Sequence, residues 1–300
     1  MRIGTLQMFR QGLNSMLDQQ TQLVRTQQQL SSGKRINNPS DDPTGSAQLI
    51  GLSESLKITD QYQRNIDAVR TRLELEDAAL GSVGDALQRV RELMVQGLND
   101  TNGPESRIAI AQEIRQLLDE VKGLANRKDA NGEYLFAGFQ GQTVPFSDNG
   151  AGTFSYAGDQ GQREIQVGPA RKIADGDAGL DVFMKIPAVA GGFEDVFSTL
   201  YNMATDLEAD TPNPASLQQV DNALNHLLGF RAQTGARLNA IDSQERINGA
   251  LLDQLELTRS TIEDLDYAEA ASRLSQQSVT LQAAQQAFVR VQGLNLFNYL

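Results

Sequence analysis

Apolar side chains recur along this chain with the period of a coiled coil. From Leu6 they fall at alternating three- and four-residue steps: Leu6, Phe9, Leu13, Met16, then Leu23 and Leu30, with Gln20 and Gln27 in the two missing places. A repeat of this kind keeps one seam of a helix facing a partner. Gly33 predicts the end of that helix, because glycine readily takes the left-handed conformation that closes a last turn. A second helix is predicted from near residue 43, where Asp42 can cap free N–H groups and Pro43 lacks only an N–H that would go unbonded. Its seam runs Ile66, Leu73, Leu80, Leu87 and Met94, with Tyr62, Val69, Val83 and Val90 alongside. Continuous to about residue 99, such a helix would be roughly 80 Å long. That length implies a bundle rather than a compact core.

The run Asn102-Gly103-Pro104 predicts a break. A third helix follows with Ile110, Ile114, Leu117, Val121 and Leu124 on one face, folded back on the second because the connection is short. Residues 130–192 read differently, with frequent glycine and short alternating runs. Phe154 and Tyr156 alternate with polar residues, as do Ile165 and Val167, and Gly158-Asp159-Gln160-Gly161 lies between the two runs. This predicts a hairpin joining them, and Val182, Phe183 and Ile186 predict a further strand. Helical periodicity resumes with Phe193, Val196, Phe197 and Leu200, and Thr211-Pro212-Asn213-Pro214 makes a turn. A long helix then carries Leu217, Leu224, Leu238 and Leu252 in one row and Val220, Leu227, Ile241, Leu255 and Ile262 in the other. The last segment has Tyr267, Leu274, Leu281 and Phe288 at seven-residue spacing, with Ala270, Ala284 and Val291 beside them.

The plan is mainly α: an elongated antiparallel helical bundle or coiled coil formed by both chain ends, with a small β-rich inserted domain. Residues 1–42 and 266–300 form the terminal helices, 43–134 and 191–265 the long-helix core, and 135–190 the insertion. An insertion lying outermost would be removable without loss of helical structure.

Composition narrows the chemistry. Aromatic residues make up only 6% of the 300, with no Trp, which suits helices packed in narrow seams. The formal charge of −12 comes with no basic stripe, so a nucleic-acid partner is not expected. The chain has no Cys and one His, His226. The first twenty residues contain Arg2, Arg10 and Asp18 and lack a continuous apolar run, so no cleaved signal peptide is expected there. No stretch reads as a membrane span. On these grounds alone the protein reads as cytosolic.

Candidate sites fail one by one. Asp175-Gly176-Asp177-Ala178-Gly179 resembles a calcium loop only faintly, because Ile186 stands where the twelfth-position carboxylate is needed. Asp129, Asn131 and Glu133 invite the same suspicion and read as a turn. His226 has no second His and sits beside the Leu224–Leu227 seam. The pairs Asp41–Asp42 and Glu263–Asp264 read as caps or solvated faces rather than acid–base pairs. No catalytic, cofactor-binding or metal-binding residue is assigned. The terminal segments carry mostly Gln, Ser, Asn and Thr outside their seams, and after Arg273 the one charged side chain is Arg290. That pattern fits an intramolecular coiled coil and equally a surface packed on several sides by other subunits.

Residues 30–43, LSSGKRINNPSDDP, resemble the segment after the first helix of bacterial flagellins and flagellin-like junction proteins. Residues 265–300, LDYAEAASRLSQQSVTLQAAQQAFVRVQGLNLFNYL, resemble the matching C-terminal segment. Their ending VQGLNLFNYL is nearer to the junction proteins than to filament flagellin, and NGEYLFAGF at 131–139 resembles the start of the junction proteins' β insertion. The chain is identified as a member of this family. The resemblance implies a non-enzymatic building block at the hook–filament junction, exported unfolded by the flagellar type III apparatus and therefore extracellular. It implies a short layer of copies between a hook-associated protein on the hook side and flagellin on the filament side, with the terminal helices as an inner tube, the insertion outermost, and no cofactor. The expected assembly residues are Leu6, Phe9, Leu13, Met16, Leu23, Leu30, Leu274, Leu281, Phe288 and Val291. A dedicated export chaperone is implied, with Phe288, Leu294, Leu296 and Phe297 as its expected contacts. The alternatives are filament flagellin, which would polymerise unaided, and a cytosolic coiled-coil adaptor.

Overall fold

The computed structural model describes residues 5–293. The helices are α1 (Thr5–Ser32), α2 (Pro43–Gly97), α3 (Pro104–Ala125), α4 (Val196–Glu208), α5 (Ala215–Glu263) and α6 (Tyr267–Gly293). Between α3 and α4 lie six short strands: β1 (Phe146–Asp148), β2 (Phe154–Tyr156), β3 (Glu164–Gly168), β4 (Arg171–Ala174), β5 (Ile186–Pro187) and β6 (Phe193–Glu194). The chain forms two compact units. Its two ends, up to Ile58 and from Ala250 onward, make one; Thr59–Gly249 makes the other.

In the Thr59–Gly249 unit the heptad rows face inward as read. Ile66, Leu73, Leu80, Leu87 and Met94 on α2 are all fully buried, as are Val69, Val83 and Val90. Ion pairs fix the register of the helices around them. Arg70 meets Asp242 and Glu245, Arg231 meets Asp77, and Arg91 meets Asp221, so α5 runs antiparallel to α2. Arg89 to Glu113 sets α3 antiparallel to α2, and the guanidinium of Arg115 grips Glu208 with two bonds of 2.7 Å between α3 and α4. Helix α4 begins at Asp195, whose carboxylate accepts the Ser198 N–H at 2.6 Å. Asp195→Ala is expected to cost about 1 kcal/mol. That corresponds to a melting point lower by about 2–4 °C for a unit of this size, read by thermal unfolding.

The strands depart from the expected pairing. Each pairs antiparallel with its neighbour in sequence, β1 with β2, β3 with β4 and β5 with β6. Phe154–Tyr156 therefore pairs with Phe146–Asp148, not with Ile165–Val167, and Gly158-Asp159-Gln160-Gly161 links two hairpins instead of closing one. The reason is tertiary. The Asp159 carboxylate accepts the N–H groups of Phe139 and Gly161 at 2.9 and 2.8 Å, and the Tyr156 hydroxyl donates within reach of the Phe136 and Asp159 carbonyls. The strand expected from Val182 and Phe183 is a π-helical turn, Leu180–Met184, and only Ile186 lies in a strand. Phe193 belongs to β6, so helix resumes at Val196 rather than before it.

The insertion has no core of its own. Phe136, Phe146, Phe154 and Phe183 share one buried cluster with Leu87, Ile114, Leu200 and Leu227 of the helices. Phe183 makes edge contacts with Phe136 and Phe146 at 5.1 and 5.4 Å, and Phe197 of α4 joins the same stack. Val167 and Ile173 of the second hairpin pack with Ile66, Val69, Leu73 and Ile241. Phe136, Phe146, Phe154, Phe183 and Phe197 thus lie where strands meet helices, and cutting out about residues 140–188 would open that core.

Candidate assembly surface

The other unit is built on the pairing of α1 with α6. Gly33 ends α1 with φ of +72°, a value glycine takes without the Cβ clash that other residues meet. The chain then makes an antiparallel bridge to the end of α5: Arg35 N–H to Glu263 O at 2.7 Å and Leu265 N–H to Gly33 O at 3.0 Å. The Arg35 guanidinium reaches the Ile262 carbonyl with Nε at 3.1 Å and Nη2 at 2.9 Å, and contacts Asp42. The Asp41 carboxylate accepts the N–H groups of Asn37 and Asn38 and pairs with Arg25 at 2.7 Å. Asp42 caps α2 through the Gly45 N–H at 2.9 Å, as its place before Pro43 predicts. The Asn38 N–H first, with Arg25 helping, holds the Asp41 carboxyl below the usual carboxylate range, and the Gly45 N–H does the same for Asp42. Asp266 caps α6 through the N–H groups of Ala268 and Glu269. The charged residues of the 30–43 signature therefore build a rigid corner that aims α1 back along α6. Arg35, Arg25 and Asp266 were not singled out from sequence. Their partners lie across the fold, and only the SSGKR…DD spacing hinted at them.

The apolar spacing brings the expected residues together in part. Met16, Leu23 and Leu30 on α1 and Leu274, Leu281 and Phe288 on α6 are half-buried along the facing sides. Phe9 and Phe288 stack at 5.0 Å with a tilt of 41°. Gly12 lets that ring approach: a Cβ there would stand 3.3 Å from it. Phe9 and Leu13 nonetheless stay exposed, at 42% and 38%. Leu6 and Val291 belong to α1 and α6, but their side chains lie outside the described part of the structure. Leu294, Leu296 and Phe297 lie outside the described residues altogether, so the expected chaperone contacts have no geometry beyond Phe288.

Sequence reading missed a second set. Leu17 and Val24 on α1 and Val279 and Val289 on α6 are large, apolar and exposed. At 100° per residue, Leu17 and Val24 lie beside the seam and Val279 lies nearly opposite it. The i, i+4 step from Leu13 to Leu17 was the available signal. The pair thus offers apolar side chains on more than the face it uses internally.

Elsewhere the candidate chemistry is committed to structure. The Asp129 carboxylate closes its own turn by accepting the N–H groups of Asn131 and Glu133 and pairs with Arg72. His226 is hydrogen-bonded through Nε2 to the Asp181 carbonyl at 2.8 Å. Among the described residues no three carboxylate or imidazole groups converge as a metal site requires, and no helix is long and apolar enough to cross a membrane. A cleft of about 430 Å³ between α2 and α5 is lined by Asp221 and Arg231, both already held in ion pairs.

Two terminal helices packed against each other, joined through a capped corner to long heptad helices with a β insertion between them, define a flagellin-type subunit. Residues 3–141 match the family model of the bacterial flagellin N-terminal helical region and residues 217–300 that of the C-terminal helical region, together well over half the chain. The chain belongs to the bacterial flagellin family. Within that family it is 29% identical to flagellar hook-associated protein 3 of Escherichia coli strain K12 over 99% of both chains. It is 27% identical to the flagellin of Bacillus subtilis strain 168 over 91% of this chain and 90% of that one. The crystal structure of flagellar hook-associated protein 3 from Legionella pneumophila superimposes with a TM-score of 0.66 at 23% identity, covering 70% of this chain and 98% of that one.

Proposed function

We propose that this chain is a structural subunit of the bacterial flagellum that joins hook to filament, and that it is not an enzyme. The observation that carries this reading is the match to hook-associated protein 3, which spans 99% of each chain and so takes in the β insertion as well as the helical ends. The functional division follows: 1–42 with 266–300 for assembly, 43–134 with 191–265 for the helical body, and 135–190 for the insertion. Exposed Leu17, Val24, Val279 and Val289, flanked along their helices mainly by neutral amides and hydroxyls, suit the ends to burial against neighbours, because neutral groups lose less on desolvation than charges and can hydrogen-bond across an interface. Each subunit of a closed layer meets several others, so modest contacts add up through multivalency. The partners are further copies of this chain, a hook-associated protein on the hook side, flagellin on the filament side, and an export chaperone that masks the C-terminal stripe in the cytosol. The site of action is extracellular, reached by type III export.

The test is complementation of a flagellated strain lacking its own hook-associated protein 3. The expected result is restored swimming, with labelled protein in a short band at the hook end of each filament. Long filaments grown from the purified chain alone would favour filament flagellin instead, and retention in the cytosol would favour an adaptor. Val279→Asp sharpens the test. It should leave the unfolding of Thr59–Gly249 unchanged, yet lower junction occupancy about tenfold or more. Burying an unpaired carboxylate costs more than the ~1.4 kcal/mol that a factor of ten represents.

A further inference from the structure

Where the loop after β4 meets α2 and α5, the Thr59–Gly249 unit gathers polar and charged groups around buried Arg72, Glu76, Asp175 and Asp177. From α2 come Arg72 and Glu76; from the segment after α3, Asp129 and Glu133; from the approach to β3, Gln162 and Arg163; from the loop after β4, Asp175 and Asp177; from α5, Arg237. Three carboxylates have a guanidinium each. Arg72 holds Asp129 at 2.9 Å, Arg163 holds Asp175 at 2.5 Å, and Arg237 holds Asp177 at 2.7 Å. Glu133 is half-buried and stands 3.7 Å from Arg72 and 3.6 Å from Arg163.

Glu76 is the carboxyl left over. It is 1% exposed, and no ion pair reaches it among the described residues. Its Oε1 accepts the Asp177 N–H at 3.0 Å, and its Oε2 has no hydrogen-bond partner in the protein. The Oδ2 of Asp177 is likewise buried and unpartnered, while its Oδ1 takes bonds from both Arg237 and Gln162. A small cavity of about 70 Å³, with room for a water or two, adjoins the cluster beside Gly176 and Asp177. An ionised Glu76 would be a second buried negative charge against Asp177, which Arg72 and Arg237, each with one buried N–H unpartnered, offset only in part.

We propose that Glu76 is carried as the neutral acid, and that its proton keeps the loop Asp175–Gly179 seated on α2, so that the seat weakens as pH rises. Burial first, and the Asp177 charge second, push the Glu76 carboxyl from 4.5 up to about 8, against the opposing pull of Arg237 and Arg72. An opened loop returns Glu76 to water and to its ordinary value. The closed form therefore holds one proton more than the open form between these two values. The stabilisation is complete below about 4.5, is lost steadily as pH rises towards about 8, and changes no further above it. Within the window the open population rises by up to about tenfold per pH unit.

Two measurements on the full chain test this. Infrared titration of the wild type should show a protonated-carboxyl band at neutral pH that disappears with a midpoint near 8, and that midpoint should fall in Asp177→Asn. Hydrogen exchange of the Asp177 amide, corrected for its intrinsic rate, should show the open population climbing from about pH 5 and levelling above about pH 8. In Glu76→Gln the same amide should show no such slope, because a neutral amide keeps the acceptor and has no proton to lose. Absence of the neutral-pH band, a midpoint at the ordinary glutamate value, or a wild-type slope surviving in Glu76→Gln would overturn the proposal. The infrared arm requires only wild-type protein, so a variant that fails to fold leaves the question decidable.

Discussion

Replacing Leu87 by Asp is expected to lower the stability of the Thr59–Gly249 unit by about 4–6 kcal/mol, and its melting point by roughly 10–20 °C. Leu87 is fully buried, in one cluster with Ile114 of α3, Leu200 of α4 and Leu227 of α5. The substitution removes apolar contacts on every side and inserts a carboxylate into a seam that offers it no cation. Truncation of a buried leucine alone costs about 2–5 kcal/mol. The matched control is Leu228→Asp on α5, where the side chain is 57% exposed and a change within about 0.5 kcal/mol is expected. Chemical denaturation of the two variants beside the wild type gives both numbers. Equal losses would mean that the heptad register of α2 does not set the core.

The second large effect concerns a charge. Arg237→Ala should cost about 3–5 kcal/mol, because it strands Asp177 in the interior with Gln162 as the remaining side-chain donor to its Oδ1. The loss comes from leaving one partner behind, and not from any large net value of the pair. Arg237→Ala/Asp177→Asn should therefore recover much of it, since the neutral amide needs no countercharge. The more exposed pair Arg91–Asp221, between α2 and α5 at 2.7 Å, should lose no more than about 1 kcal/mol on Arg91→Ala. Denaturant midpoints for these variants separate the cases. A double variant no better than Arg237→Ala would show that the arginine acts through packing instead.

These two predictions differ in how far ahead of the structure they could be seen. Leu87 is visible in the sequence because its partners in the row, Leu80 and Met94, repeat at a fixed interval, and a helix turns that interval into a face. The corner between α1 and α2 was legible in part from capping, with Gly33 closing α1 and Asp42 and Pro43 opening α2. The facing residues Met16, Leu23, Leu30, Leu274, Leu281 and Phe288 followed from the same spacing. Exposed Leu17, Val24, Val279 and Val289 stayed hidden because period alone identifies the residues of one seam and is silent about apolar side chains off it.

By itself, then, the sequence determined the long helices, most of their ends and most of the seam each one buries, because periodicity, capping and turn chemistry act over a few residues; it began α4 too early, at Phe193, and counted Phe9 and Leu13 into a seam that leaves them exposed. Tertiary structure decided the rest. Phe154–Tyr156 had two possible partners on local grounds, and bonds from Asp159 and Tyr156 to the segment around Phe136–Phe139 settle which hairpin forms. Val182 and Phe183 satisfy an alternating pattern, yet packing on Phe136, Phe146 and Phe197 winds them into a π-helical turn. Asp177 reads as an ordinary turn residue until the fold brings Arg237, 60 residues later, and Glu76, 101 residues earlier, to its two sides. Such pairings depend on long-range closure and on which charges share the low-dielectric interior, and no local interval along the chain encodes either.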